Sequence, residues 1–348
     1  VREKEPTKVA VIGASGYAGE ELVRLLLGHP HVELTAVTSR QYAGKSIGDI
    51  FPRFAHLEKA AALKFTDAKP AAIAGLAEVV FLALPHGVSA GMGAGLLEAG
   101  ARVIDLSADF RIRDPEVYKE FYGSDHPAPQ LLGHAVYGLP EIYRGEIARA
   151  RLVACPGCYP TSILLPVLPL LREKTIDPKR IVISSLSGVT GAGRKVEADY
   201  LFAECNENMR PYGVPKHRHL PEIEQELSAG AGAPVTVQFI PHLVPVNRGI
   251  VSTICVDLTE AGAAASIGAI YEKTYGGEPF VRLLREERLP ETRNVTGTNF
   301  IDLAWRLDPR THRLILMSAI DNLTKGTSGQ AVQCFNLMTK YPESAGLL

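Results

Sequence analysis

The chain has 348 residues, 46% of them hydrophobic and 22% charged, the composition of an ordinary globular enzyme with room for one large or two ordinary domains. A net charge of −1 with no basic block argues against nucleic-acid binding and electrostatic membrane attachment, and no apolar run approaches the roughly 20 residues that span a bilayer. Five cysteines without framework spacing, and a charged start at Val1-Arg2-Glu3-Lys4-Glu5 that lacks a signal-peptide core, point to a cytoplasmic protein.

Lys8-Val9-Ala10-Val11-Ile12 reads as a first strand, and Glu20–Leu27 carries apolar residues at helical spacing. Between them lies Gly13-Ala14-Ser15-Gly16-Tyr17-Ala18-Gly19. Glycines there let the backbone turn sharply and approach a pyrophosphate seated on the helix N-terminus, so Gly13, Ser15, Gly16, Tyr17 and Ala18 are candidate cofactor contacts. The spacing is G-x-x-G-x-x-G, a variant of the dinucleotide fingerprint; the bland alternative is a tight turn with no ligand. The second strand, Val32–Val37, runs into Thr38-Ser39-Arg40 where NAD-binding folds usually carry an acidic residue. The hydroxyl of Ser39 and the guanidinium of Arg40 suit a 2′-phosphate, which implies NADP(H).

Strands follow at 78–84 and 102–106, with a helix near 88–99 between them. Alternation of strands and helices implies a doubly wound parallel sheet whose ligands lie beyond the strand ends. Pro85-His86-Gly87 and Ser107-Ala108-Asp109-Phe110-Arg111 fall there, making Pro85 a candidate cofactor contact and Arg111 a candidate anion ligand.

Leu152-Val153-Ala154-Cys155-Pro156-Gly157-Cys158-Tyr159-Pro160-Thr161 has the pattern strand, tight turn, cysteine, helix. A helix N-terminus favours a thiolate, so Cys158 is the candidate nucleophile. Three other readings stand beside it: a buried structural cysteine, a Cys155/Cys158 redox dithiol, and half a zinc site that lacks a second C-x-x-C pair. A dithiol needs no dinucleotide site in the same chain, so the combination favours thioester chemistry, with Cys158 near the nicotinamide end of the cofactor. Further on, Pro166 and Pro169 are expected to kink the helix or end and restart it.

After Asp177-Pro178, strands are expected at 181–186, 235–240, 251–257, 301–305 and 314–319, with fewer helices between them, as in a mixed or antiparallel α+β domain. Ser187-Gly188-Val189-Thr190-Gly191-Ala192-Gly193-Arg194 is a phosphate-compatible loop, offering Ser187 and Gly188 to the cofactor and Arg194 to an anion. Lys216-His217-Arg218-His219-Leu220-Pro221-Glu222 gathers two imidazoles, two cations and a carboxylate. One histidine is the candidate acid–base group, Glu222 its orienting partner and Lys216 an anion ligand. Asp321-Asn322-Leu323-Thr324-Lys325-Gly326 leads into a last helix that returns to the first domain, with Asn322 on a second wall of the cofactor site. The expected domains are 1–157 completed by 326–348, and 158–325.

Taken together, these motifs resemble the N-acetyl-γ-glutamyl-phosphate reductase family of the aspartate-semialdehyde dehydrogenase superfamily. The resemblance spans nearly the whole chain and includes Tyr137-Gly-Leu-Pro-Glu141 and Pro245-Val-Asn-Arg-Gly249 besides the stretches above. It implies a Rossmann domain, an α+β catalytic and dimerisation domain, NADPH, an acyl-phosphate substrate, a step of arginine biosynthesis, and a homo-oligomer, commonly a tetramer. It implies Cys158 as nucleophile, an acid–base histidine in the His217/His219 pair with His219 favoured, and Arg111 as the phosphate ligand. Where the sibling dehydrogenase carries a histidine after Val-Pro-Val-x-x-Gly, this chain has Ile250, which leaves the 217–219 pair as the imidazole source. Two alternatives stay open: the analogous reductase of lysine biosynthesis, acting on a carrier-linked aminoadipyl phosphate, and a non-enzymatic redox sensor using Cys155 and Cys158.

Overall fold

A computed structural model describes residues 5–67, 69–194, 196–285 and 287–348, so most of the charged start, residues 1–4, lies outside the described part. The chain divides into two compact units, Val1–Pro156 with Thr327–Leu348, and Gly157–Gly326. Among the described residues no helix is long and apolar enough to cross a membrane.

Seven strands build the sheet of the first unit: Thr7–Ile12 (β1), Val32–Thr38 (β2), Phe65–Thr66 (β3), Val79–Leu82 (β4), Arg102–Asp105 (β5), Ala135–Tyr137 (β6) and Leu152–Ala154 (β7). Their order is β3-β2-β1-β4-β5-β7-β6, and every pairing is parallel. Helices cover such a sheet on both faces, so its strands are near-continuous apolar runs. Val79, Val80, Phe81 and Leu82 have no exposed surface. The order reverses between β1 and β4, and ligands bind beyond the strand ends at such a switch point. The glycine-rich turn after β1 and the loop at Pro85 after β4 both lie there. The helix Gly329–Thr339 packs on the helix Tyr17–Leu27 that leaves the turn. The two strands of this sheet that the sequence reading lacks, β3 and β6, are two and three residues long, too short for any periodicity.

The second unit holds another seven-stranded sheet: Ile176–Gly188 (β8), Arg210–Pro211 (β9), Val237–Val244 (β10), Ile250–Leu258 (β11), Val281–Leu283 (β12), Ile301–Asp308 (β13) and Arg313–Ile320 (β14). In the order β12-β13-β14-β11-β8-β10-β9 it is mixed, parallel at β8/β10 and β12/β13 and antiparallel elsewhere. Its strands alternate: Ile250, Ser252, Ile254 and Val256 are buried, while Val251, Thr253 and Cys255 are half-buried. One face carries the helix Cys158–Arg172, buried from Tyr159 through Leu171 against β11, β14 and the helices Leu220–Ala231 and Ile267–Tyr275.

Of the two outcomes expected at its prolines, an end and restart is excluded: the helix runs through Pro166 and Pro169 without ending. A proline removes the N–H that would serve the carbonyl four residues earlier, and a buried orphan carbonyl is costly. Here Ser318 Oγ donates to Ser162 O at 2.6 Å, and Tyr275 OH donates to Leu165 O at 2.6 Å, the two carbonyls in question. Tyr271 OH serves Pro166 O at 2.5 Å as well. Hydroxyls from a neighbouring strand and helix thus replace the missing backbone donors.

Tyr275→Phe strands the Leu165 carbonyl and should destabilise the protein by about 1–3 kcal/mol. Denaturant unfolding measures this, and a midpoint equal to that of the wild type would refute the carbonyl-capping account.

Candidate active site

Cys158 is the first residue of its 15-residue helix, and Gly157 is the N-cap, extended and without a side-chain cap. A sulfur there lies at the partial positive charge of a helix start, a position that favours an anion. The Gly157 N–H itself is held at 2.8 Å by Oε1 of Glu222, a carboxylate with no exposed surface in the first turn of the helix Leu220–Ala231. The sequence reading pairs Glu222 with a histidine; its hydrogen bond to Gly157 gives it a hold on the backbone that carries the thiol. His219 is the residue just before that helix, and its imidazole lies on Gly157: a Cβ on Gly157 would stand 2.5 Å from Nε2. Glycine is therefore required there, and its bareness brings an imidazole nitrogen beside the cysteine.

His217 has a different place. Its Nδ1 accepts the His219 N–H at 3.0 Å, which requires that nitrogen to be unprotonated. Burial, reinforced by the Arg218 charge, pushes His217 down to about 4. Tyr159 presents a T-shaped contact to each imidazole, with centroids 5.5 and 5.9 Å away. His217 is thus a neutral wedge that fixes the backbone of His219. The structure brings Cys158, His219, His217 and Glu222 together.

A cavity of about 300 Å³ opens on this cluster, lined by Cys158, His217, His219, Tyr212, Arg210 and Arg218 among others. Arg194 and Lys216 are exposed, and among the described residues the lining cations are Arg210 and Arg218. Sequence reasoning missed Arg210 because β9 spans only two residues and has no pattern. Ser187 lines the cavity from the end of β8. Asn322, with 1% of its surface exposed, accepts the Gly249 N–H at 2.8 Å and donates to Thr190 Oγ1 at 3.0 Å, tying the loop after Gly188 to the turn before β11.

In the first unit, Gly13 has φ +84°, and a Cβ there would stand 2.5 Å from Ala83 O, so β1 and β4 close on each other only through glycine. At Gly19 a Cβ would stand 2.5 Å from Gly13 O, while at Gly16 the nearest atom is 4.0 Å away. The outer glycines serve packing, and the middle one leaves open space at a helix start that has no side-chain cap. That is the cradle a pyrophosphate needs, so the residues present fit a dinucleotide. Ser15 Oγ and Ser39 Oγ lie 3.0 Å apart at the rim, the Arg40 side chain is 86% exposed, and Pro85 is exposed. Tyr17 and Ala18 open the helix, with Ser328 Oγ donating to Ala18 O. Arg111 is buried and donates to Cys155 O at 2.7 Å and Leu106 O at 2.8 Å. Sequence reasoning passed over Asp109, which is buried and accepts from Gly87 N–H, Ala90 N–H and Tyr118 OH, pinning the loop after β4. Cys155 is wholly buried.

Comparison with known proteins agrees over both units. The family model described as semialdehyde dehydrogenase, NAD binding domain, matches residues 8–150, and that described as semialdehyde dehydrogenase, dimerisation domain, matches residues 158–322. The chain is 56% identical to the N-acetyl-gamma-glutamyl-phosphate reductase of Akkermansia muciniphila, over 98% of each chain. It is 50% identical to the reductase of that name from Geobacter sp. (strain M21), over 98% of this chain and 97% of the relative, and 49% identical to that of Moorella thermoacetica at the same coverage. Among solved structures, aspartate semialdehyde dehydrogenase II of Vibrio cholerae superposes with a TM-score of 0.73 at 18% identity, covering 97% of this chain and 99% of that one. The Candida albicans aspartate semialdehyde dehydrogenase with NADP gives 0.68 at 17% identity, over 96% and 99%. At these identities the structures establish the fold.

Gly157→Ala should cost about 10²-fold or more in turnover through displacement of His219, with unfolding changed far less; wild-type turnover would contradict the contact. His217 gives a stability signature. Unfolded, it binds a proton near pH 6.5, and folded only near 4. The native state therefore loses stability as pH falls from about 6.5 towards 4. In His217→Gln that part of the decline should vanish from denaturation curves taken across this window.

Proposed function

The chain belongs to the N-acetyl-γ-glutamyl-phosphate reductase family, and on that footing we propose that it reduces N-acetyl-γ-glutamyl phosphate to N-acetylglutamate semialdehyde with NADPH, in arginine biosynthesis, through a thioester on Cys158. The observation that carries the thioester reading is the thiol at an uncapped helix start with the imidazole of His219 on the adjacent glycine.

In this mechanism the Cys158 thiolate attacks the acyl carbon, the C–O bond to phosphorus breaks, and inorganic phosphate leaves. Arg111, with Arg194 or Lys216, neutralises the phosphate charge. Gly13, Ser15, Gly16, Tyr17 and Ala18 would hold the pyrophosphate of the cofactor, Ser39 and Arg40 its 2′-phosphate, and Pro85, Ser187, Gly188 and Asn322 its remaining walls. NADPH, when bound, supplies the hydride. His219 then protonates the oxygen of the thiohemiacetal on Cys158 and takes that proton back as the C–S bond breaks and the aldehyde departs. His217 keeps His219 in place, and Glu222 keeps Gly157 in place. A thioester accepts hydride more readily than an ester, and thiolate leaves readily, which is why the site uses cysteine. The wholly buried Cys155 disfavours a dithiol switch.

We further place the protein in the cytoplasm as a homo-oligomer, dimer or tetramer. The match to a dimerisation domain supports the oligomer.

The reverse reaction tests this reading: purified protein should reduce NADP with N-acetylglutamate semialdehyde only when phosphate is present. Cys158→Ser and His219→Asn should each lose about 10³-fold or more, with NADPH binding retained. No turnover with this aldehyde, but turnover with a carrier-linked aminoadipate semialdehyde, would move the substrate to lysine biosynthesis. A serine variant near wild-type rate would end the thioester reading.

A further inference from the structure

The proposed substrate has two anionic ends, and the mechanism above provides for only one. Besides the acyl phosphate, an N-acylglutamyl chain carries its own α-carboxylate. Inside a cavity that charge must meet a cation or stay unpaired at high cost. The lining offers Arg210 and Arg218.

Arg210 stands on β9, held to β10 with Arg210 opposite Leu243 and Pro211 opposite His242. A side chain rooted in a sheet is better placed for recognition than one on a loop. Arg218 is on the exposed loop before His219. More telling, Arg210 already holds a carboxylate: its Nη2 lies 3.2 Å from Asp199 Oδ2 and donates to Asp199 O at 3.1 Å. Asp199 also lines the cavity and comes from the short turn Ala198–Tyr200, with 69% of its side chain exposed against 35% for Arg210. An exposed pair of this kind is weak, worth about 0–1 kcal/mol, and easily exchanged.

We propose that Arg210 recognises the α-carboxylate of the acyl substrate, and that Asp199 holds its guanidinium until the substrate displaces it. Asp199 is thus an internal stand-in for the ligand group, marking where the substrate carboxylate binds. The inference rests on the reductase reading and assigns the end of the substrate remote from Cys158.

The test compares N-acetylglutamate semialdehyde with its α-methyl ester in the phosphate-dependent reverse assay. The wild type should prefer the acid by roughly 10²-fold in kcat/KM, chiefly through KM. In Arg210→Gln that preference should collapse to near unity, and Arg210→Lys should restore about tenfold of it, charge being kept while the planar fork is lost. Asp199→Asn, at an exposed position, should lower KM for the acid several-fold and leave KM for the ester where it was. A wild-type acid-over-ester ratio in Arg210→Gln overturns the assignment and leaves the reductase reading intact. An unchanged acid KM in Asp199→Asn overturns the holding role of Asp199. Failure of the wild type to turn over either compound overturns the reductase reading and this inference with it.

Discussion

The cluster around Cys158 depends on one hydrogen bond between a buried carboxylate and a backbone amide. Glu222 holds the Gly157 N–H at 2.8 Å from the first turn of a second helix. That bond joins two helix starts: the one that bears Cys158 and the one that His219 precedes. Because Gly157 has no side chain, the imidazole of His219 rests against its Cα, next in the chain to Cys158. His217 adds a second fixed point by accepting the His219 N–H. Thiol, imidazole and carboxylate all come from a stretch of backbone held at several points, and none relies on the rotamer of a long surface side chain.

Charge is arranged on the same plan. The carboxylate at the core of the cluster is buried and serves the backbone, while the cations lie further out in the cavity wall. His217 is kept neutral by burial, so the cluster holds one imidazole whose task is structural. The first unit repeats the device at Asp109, a buried carboxylate that organises the loop after β4 through two amides and a phenol.

What the sequence disclosed was mainly backbone punctuation. The glycine-rich turn after β1, the strand ends at Pro85 and Arg111 and the Pro-Gly-Cys turn are local, because each marks a place where the chain must bend or leave room. The His217/His219 pair was legible as a local concentration of polar chemistry. That the cysteine helix continues through its prolines was not legible for a physical reason: the hydroxyls that replace the missing donors come from residues 156 and 110 positions away. No local pattern encodes such partners. Arg210 was invisible for a related reason, since its place in the cavity follows from a two-residue strand pairing with β10. The role of Glu222 was half legible, as its proximity to the histidines showed in sequence while its bond to Gly157, 65 residues distant, did not.

The hydroxyl-capped prolines have a consequence for the order of events during folding. A helix in which the carbonyls of Ser162 and Leu165 are served by Ser318 and Tyr275 gains less from forming early, because those two partners arrive with the later part of the chain. Its completion waits for β14 and the helix Ile267–Tyr275 to dock. Cys158 is the first residue of that same helix. In an unfinished chain, still attached to the ribosome or partly folded, Cys158 therefore lacks the completed helix start that surrounds it in the finished domain. On the role proposed for Cys158, its reactivity then arrives with the finished domain, and nascent copies are spared mixed-disulfide formation and alkylation.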